Sequence, residues 1–437
     1  MNTNPDSWYQ ARSAAVPEYA TFAGKSSFDV AVIGGGLAGI TAALEIVRRG
    51  KSVALFESER VGCGASGRNG GFVSAGFAES IEKISTRVGA DDARTLMGLS
   101  REGVNYIRDA IKTFSMTDID PVSGWLNAQR FDDPAPIMAR AERSSEEFGR
   151  PLEYMDSDKV RSLLKSERYF QGLYDADAFH LDPLQYTRQL AGAALAAGVS
   201  IFENSNVVAF RENTNRFEIV TDGGTARCGK VIVAGSAYLK RIFPEIRRGV
   251  LPVATHVVVT KPFSGSPDHA INFSGAVSDT RRAGNYYRLL PDKGDGVRLL
   301  WGGRITTGTR PPRYLASQMR RDIARTYPQF GQVEIEHAWS GLMGYATHKM
   351  PLIGEIRPGI WACTAFGGHG LNTTAMGGLI VARAICDNDD RVNLFDHYRA
   401  EWGGGIFSRM ITQSVYWLMR ARDGLDEFRF RRDIAGD

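Results

Sequence analysis

Phe28-Asp-Val-Ala-Val-Ile-Gly-Gly-Gly-Leu-Ala-Gly-Ile-Thr-Ala-Ala-Leu-Glu-Ile-Val-Arg-Arg-Gly-Lys-Ser-Val-Ala-Leu-Phe-Glu57 is the stretch on which the fold turns. Phe28 to Ile33 reads as a short buried strand and Lys51 to Phe56 as a second one. Between them Ile40 to Arg49 reads as a helix with Glu45, Arg48 and Arg49 outward, ended by Gly50. The glycines of the turn have separate tasks. Gly34 permits the tight bend, Gly36 lets the backbone approach a pyrophosphate, and Gly39 lets the helix pack close to the sheet. The free N–H groups at the helix start favour phosphate charge. Glu57, at the end of the second strand, is placed to accept from ribose hydroxyls, and its charge would repel a 2′-phosphate. A glycine pattern alone is weak. Here it stands in its full strand–turn–helix–strand setting, which predicts a dinucleotide site.

Outward from this unit, Asp91 to Thr113, Ala135 to Phe148, Pro183 to Ala197 and Pro312 to Tyr327 read as helices. Asp182 is a cap and Pro183 a first helical residue. Strands are expected at Gly124 to Phe131, Val199 to Ala234 in several pieces, and repeatedly from Val250 to Ile335. The 437 residues, 43% of them hydrophobic, suffice for two or three domains. With 53 basic against 49 acidic side chains and no basic stripe, nothing asks for a nucleic acid. The four cysteines form no CxxC pair, so neither a zinc site nor a disulfide framework is expected, and a reduced cytoplasmic setting fits. No signal-peptide pattern opens the chain, and no apolar run reaches the roughly 20 residues of a spanning helix.

Two further glycine-rich segments follow: Gly62 to Gly71 (Gly-Cys-Gly-Ala-Ser-Gly-Arg-Asn-Gly-Gly) and Gly367 to Thr373 (Gly-Gly-His-Gly-Leu-Asn-Thr). Val231 to Gly235, Trp339 to Leu342 and Met350 to Gly354 stand between them. In this order the set resembles the D-amino-acid-oxidase-type family of FAD-dependent amine oxidoreductases, from about residue 28 to about residue 384. Ala65 to Gly71, Tyr286-Tyr-Arg-Leu289 and the basic aromatic tail are most similar to its gamma-glutamylputrescine oxidase branch. The resemblance implies a mixed α/β fold, with a Rossmann-like FAD domain (26–80, 181–245, 336–385) interleaved with a substrate domain (81–180, 246–335) built on a large antiparallel or mixed sheet. The tail, 386–437, is expected to pack as a helix on the FAD domain rather than to lie on a bilayer.

FAD is long, and three loops suit it where NAD needs one. The expected contacts at the ADP end are Gly34, Gly36, Leu37, Ala38, Gly39, Phe56, Glu57 and Ser58, with Val208, Ala234 and Gly235 implied by the resemblance. Ala65, Ser66, Arg68, Asn69, Gly70 and Gly71 would follow the ribityl chain. Gly341, Gly368, His369, Gly370, Leu371, Asn372 and Thr373 would meet the ring, where a helix N-terminus favours the negative charge of the reduced state. Neither cysteine nor histidine stands where relatives tether the flavin, so non-covalent FAD is expected, with Cys63 the one residue placed to contradict it. No metal is expected.

The chemistry implied is hydride transfer from a carbon next to an amine nitrogen to flavin N5, followed by imine hydrolysis, with dioxygen as acceptor. The alternatives are a dehydrogenase passing electrons to a quinone or carrier protein, and a flavin-binding subunit without turnover. Candidates on the substrate side are Tyr286, Arg288, Trp301, His348 and His369. Tyr286 and Arg288 share one strand face and Tyr287 the other. Arg288 is either a carboxylate clamp or an interface ion pair, Trp301 either a wall or core, and His256 structural. Lys349 is an oxygen-activating candidate of unknown orientation. Asn372 stands where sarcosine-oxidase-like members carry a carboxylate-holding lysine, which favours a polyamine derivative over a small α-amino acid.

Overall fold

The structure, a computed structural model, describes residues 7–13, 18–213, 216–239, 242–281, 284–292, 296–308, 315–403 and 405–435, save the side chains of 406 and 431–435. The expected βαβ unit is present as strand Gly24–Ile33, helix Leu37–Val47 and strand Val53–Phe56. The strands pair in parallel, Val30 beside Val53 through Ile33 beside Phe56. Ten of the helix residues, Leu37 to Ile46, are buried, so the helix is a core element rather than a surface one. A methyl group on Gly39 would overlap the Gly34 carbonyl oxygen, which is the close helix–sheet approach the motif predicts.

This unit seeds a sheet of eight strands. Gly224–Val233 and Ser200–Phe202 flank it in parallel, Ile360–Thr364 extends it, and the antiparallel Leu352–Arg357 closes one edge. Helices Leu37–Val47, Ala90–Thr113, Pro183–Ala196 and Gly370–Asp387 cover one face and share one apolar core. The second sheet has nine strands, running Ile335–Tyr345, Leu251–Thr260, Val297–Thr306, Tyr286–Pro291, Ala276–Asp279, Val122–Ala128, Gly172–His180 and Phe72–Val73, with Glu153–Met155 beside Gly172–His180. Its far face packs on helices Ser157–Leu164 and Leu315–Thr326. Its near face looks toward the first sheet and its helices.

The two sheets draw on alternating stretches of the chain, and three elements sit otherwise than the expected bounds place them. Helix Ala90–Thr113 belongs to the FAD-side core, because its apolar face meets Gly370–Asp387. Strand Ile335–Tyr345 belongs to the substrate-side sheet, paired with Leu251–Thr260 over its length. The tail divides. Val392, Phe395 and Tyr398 join the FAD-side core. Helix Ser408–Ala435 instead lies on the substrate-side domain: Gln413 accepts from Thr306 and Thr307, Tyr416 from the Ile305 amide, and Glu427 pairs with Arg130. It packs there because its inward side is polar and finds hydrogen-bonding partners at the strand ends. The helix expected from Pro312 begins at Leu315; 312 itself lies outside the described residues.

Gly39→Ala forces the buried helix off its strand and should cost about 1–3 kcal/mol of stability. Gly98, inside helix Ala90–Thr113, has nothing within 4 Å of an added methyl group. Gly98→Ala should accordingly gain about 0.5–1 kcal/mol. Urea midpoints of the two variants should move in opposite directions.

Candidate active site

At the first turn, Gly34 has φ +118° and donates to Phe56 O at 2.9 Å, while Ala234 N donates to Ile33 O at 2.8 Å. A methyl group on Gly34 would meet Ala234 O at 2.8 Å, so Ala234 and Gly235 close over the turn as expected. Gly36 caps the helix without a side chain, no acid stands in the first helical turn, and Ser66 Oγ accepts from Leu37 N at 3.0 Å. Ala38 and Gly39 complete this turn with backbone alone facing the loop. Glu57 is buried. Its Oε2 accepts from Gly35 N at 2.7 Å, and its Oε1 accepts from Glu59 N at 2.9 Å and from the Ser58 hydroxyl at 3.2 Å. Burial pushes its carboxyl up, against these donors pulling it down. Phe56 is packed away between Phe22 and Phe202. Cys63 lies beside Glu57, and burial next to that carboxylate pushes its thiol up to about 12.

The second loop is held from three sides. The Asn69 amide donates to Ala65 O and Ser66 O and accepts from Gly71 N. Trp339 Nε1 donates to Arg68 O at 2.9 Å, and the Tyr9 hydroxyl donates to Asn69 O at 3.0 Å. Gly341 lies against the Arg68 backbone, and Gly70 against the Tyr286 ring. Gly71, at φ +84°, has no room for a methyl group beside Leu181 O.

The third loop enters helix Gly370–Asp387, whose cap residue His369 makes no side-chain capping bond and whose first turn holds no acid. Asn372 is buried and donates to Gly76 O at 3.1 Å and to Ser100 Oγ at 2.8 Å. It binds the loop to helix Ala90–Thr113 rather than facing a substrate. The Thr373 hydroxyl donates back to His369 O, Leu371 is core, and Gly368 packs on the Tyr345 phenol. Gly378 of this helix meets Ala38 of the first one. The eight steps from 370 to 378 span about 12 Å at the helical rise. Two helix starts, neither with an acid in its first turn, are thus about that far apart, with a glycine-rich loop beside them. This donor set fits an elongated anionic cofactor whose pyrophosphate and ring occupy the two ends.

Over the third loop stand side chains of the second sheet. Phe72 lies 5.4 Å from Tyr286 and 5.5 Å from Trp125, and Trp125 stacks on His369 at 6.1 Å, centroid to centroid. Trp125 Nε1 donates to Ser278 Oγ, and the Tyr286 hydroxyl lies 3.3 Å from Thr255 Oγ1. Tyr286 rests on Gly302, where any side chain would overlap its ring. Phe72, Trp125 and Thr255 carry no local motif; only the strand pairing brings them to the site. Burial, with Arg150 nearby, holds His369 down at about 4, so it is neutral near pH 7. Burial also pushes the Tyr286 phenol up, so it stays protonated.

The remaining candidates lie elsewhere. Arg288 shares the face of Tyr286 and is held at both terminal nitrogens, donating to His180 Nδ1 at 2.7 Å, the Tyr9 hydroxyl at 3.1 Å and Leu181 O at 2.8 Å, while its buried Nε has no partner. It is an interface residue without a carboxylate partner. His180 Nδ1 must therefore accept, which leaves its Nε2–H to donate to Ser274 O. Trp301 stacks on Tyr287 at 4.6 Å on the opposite face, within the core shared with helix Leu315–Thr326. This corrects its place among catalytic candidates to core. His348 turns to the tail: its Nδ1 accepts from Met350 N and its Nε2 lies 3.2 Å from Arg399 O. This corrects the expectation that it covers the reacting end. Val208 sits where the ladder of its strand slips, with an exposed side chain. Lys349 is exposed. His256 is fully buried on the face of Trp301, and neither ring nitrogen has a hydrogen-bond partner.

A sequence model described as DAO, FAD-dependent oxidoreductase, matches residues 29–384. A probable oxidoreductase, OrdL, of Haemophilus influenzae is 34% identical over 397 residues, 88% of this chain and 89% of its own. The gamma-glutamylputrescine oxidoreductase of Escherichia coli is 30% identical over 434 residues, 97% of this chain and 100% of its own. Among solved structures, a glycine oxidase from Bacillus cereus superposes with a TM-score of 0.70 at 21% identity, covering 86% of this chain and 98% of that one.

Burial holds His256 down at about 4, the Arg304 charge adding to the effect. The unfolded chain takes up this proton near pH 6.5 and the folded one does not. The native state therefore loses stability through this residue as pH falls from about 6.5 toward 4. His256→Leu removes the term and two unsatisfied nitrogens. Its urea midpoint should fall less between pH 7 and pH 5 than that of the unsubstituted protein.

Proposed function

The chain belongs to the D-amino-acid-oxidase-type family of FAD-dependent oxidoreductases, and from that membership we propose that it oxidises the CH–NH bond of an amine that lacks a carboxylate beside the reacting carbon. Its cofactor is FAD. The observation that carries the substrate reading is the state of the groups near the site that could hold a carboxylate. Arg288 is held at both terminal nitrogens by His180, Tyr9 and Leu181, and Arg150 by Asp175. The Asn372 amide is spent on Gly76 and Ser100. What stands over the third loop is aromatic: Phe72, Trp125, Tyr286 and the neutral ring of His369. Such walls suit an extended amine, of which a gamma-glutamylputrescine-like compound is our best candidate; the Escherichia coli relative is named for that substrate.

When bound, FAD supplies the hydride acceptor. The protein's contribution is position and desolvation. Gly36 to Gly39 and Glu57 would hold the ADP half, and the loop from Ala65 to Gly71 the linker. The start of helix Gly370–Asp387 would hold the ring edge. Non-covalent binding is part of the proposal, supported by Cys63 lying beside Glu57. On the substrate side the aromatic walls exclude water and disfavour the ammonium form, so that the amine reacts neutral. Tyr286, protonated and backed by Thr255, is placed to hydrogen-bond the substrate. His369 at about 4 is too weakly basic to be a strong general base, and none is needed.

Dioxygen is the acceptor we propose. A quinone or carrier protein is a second reading, favoured by the outward apolar side of helix Ser408–Ala435 described below. Anaerobic mixing with an amine panel should bleach the flavin fastest with terminal diamines and their acylated derivatives, and slowly with glycine or D-alanine. Preference for a small α-amino acid would refute the substrate reading, and no reduction by any amine would refute the reaction. Peroxide release in air separates the two acceptors. Gly302→Ala, which displaces the Tyr286 ring, should lower the reduction rate at least tenfold while bound flavin is retained.

A further inference from the structure

Helix Ser408–Ala435 is inverted over most of its length: apart from Phe430, which packs on Phe131 and Phe170, the side facing the protein is polar and the apolar side faces out. Inward lie Gln413, Tyr416, Asp423 and Glu427, bonded or buried against the substrate-side domain. Outward lie Phe407 at its start, then Met410, Ile411, Trp417, Leu418, Leu425 and Phe428, each more than half exposed. With Trp402 and Val415 they make up nine of the thirteen exposed large apolar side chains among the described residues. At about 100° per residue, all the helical ones fall within one side of the cylinder. A soluble monomer rarely concentrates its exposed apolar groups so heavily.

The charges on this face decide what covers it. Arg422 and Arg429 lie on it and are exposed. Up to Arg429 the carboxylates of the helix are turned away: Asp423 is buried, Asp426 half-buried, and Glu427 held by Arg130. Glu401, just before the helix, is taken by Arg87 and Thr347. A second copy pairing through this face would bring arginines together with no acid opposite, since a two-fold interface must be complementary to itself. An anionic lipid surface offers both an apolar layer for Trp417, Leu418, Leu425 and Phe428 and phosphates for the arginines. No described helix is long and apolar enough to cross a membrane, so the contact is one of lying on the surface.

We infer that helix Ser408–Ala435 seats the protein on the surface of an anionic bilayer, its outward side sunk among the acyl chains and Arg422 and Arg429 at the headgroups. The inference goes beyond the reaction proposed above and stands without it. The holoenzyme, mixed with vesicles of phosphatidylcholine alone or with 30% phosphatidylglycerol (about that fraction suffices for a strongly anionic surface), should float with the anionic vesicles and far less with the neutral ones. Brominated lipid should quench part of its tryptophan fluorescence, a readout that needs no variant. Trp417→Ser with Leu418→Ser should weaken vesicle binding at least tenfold. Arg422→Gln with Arg429→Gln should remove the preference for anionic lipid. Flavin content and amine reduction should stay unchanged in both, since these side chains point to solvent. Absence of flotation and quenching in the unsubstituted protein overturns the inference. So does a dimer in solution that Trp417→Ser with Leu418→Ser converts to a monomer, which would make the face a contact between copies.

Discussion

The approach of helix Gly370–Asp387 to helix Leu37–Val47 governs the molecule. A methyl group at Gly378 would stand 2.8 Å from the Ala38 carbonyl oxygen and 2.7 Å from Thr41 Cβ, so the two helices touch backbone to backbone. That contact sets the offset between their starts. Each start lacks an acidic cap, and each is approached by the loop from Gly62 to Gly71 or its neighbours. The distance between the two positive ends is therefore a property of helix packing, not of flexible loops. Gly103 repeats the device on the other side, where a methyl group would overlap the Asn372 carbonyl oxygen and press helix Ala90–Thr113 away. Three helices thus form one rigid block, and both ends of the cofactor site are edges of it.

How much of this was open to reading from the sequence follows from the range of each interaction. The turn at Gly34, the acid at Glu57 and the cap at Asp182 are local and rule-bound, and each stands where its pattern implies. The period-two alternation of Tyr286, Tyr287 and Arg288 is local as well, but which face looks where is not: Tyr286 packs on Phe72 and Tyr287 lies in the core of the opposite face. Which groups meet Arg288 was not legible. Its partners are Tyr9, 279 positions away on a short helix packed against the sheet, and His180, 108 away on a strand of the same sheet. Trp125 and Phe72 were missed for the same reason. Trp301 and His348 were nominated for residue type and neighbourhood, but pairing with Tyr287 and with the tail took them elsewhere.

The tail shows the opposite failing. Its mixture of aromatic and basic residues suggested a helix, yet not which side would face in. The usual expectation, apolar side inward, fails over most of the helix because the strand ends it meets present hydroxyls, amides and arginines; only Phe430, near its end, finds apolar partners in Phe131 and Phe170. Docking is decided by the receiving surface as much as by the helix.

Tyr9 has a further significance. It is fully buried, its hydroxyl reaches the backbone of the loop that carries Asn69, and it accepts from the buried Arg288. The short helix Trp8–Arg12 is thus a wedge between domains rather than a loose leader. A shortened gene product that starts after it leaves Arg288 short of one of its acceptors in the interior. For anyone handling this protein, the two ends of the chain are not interchangeable places to attach something.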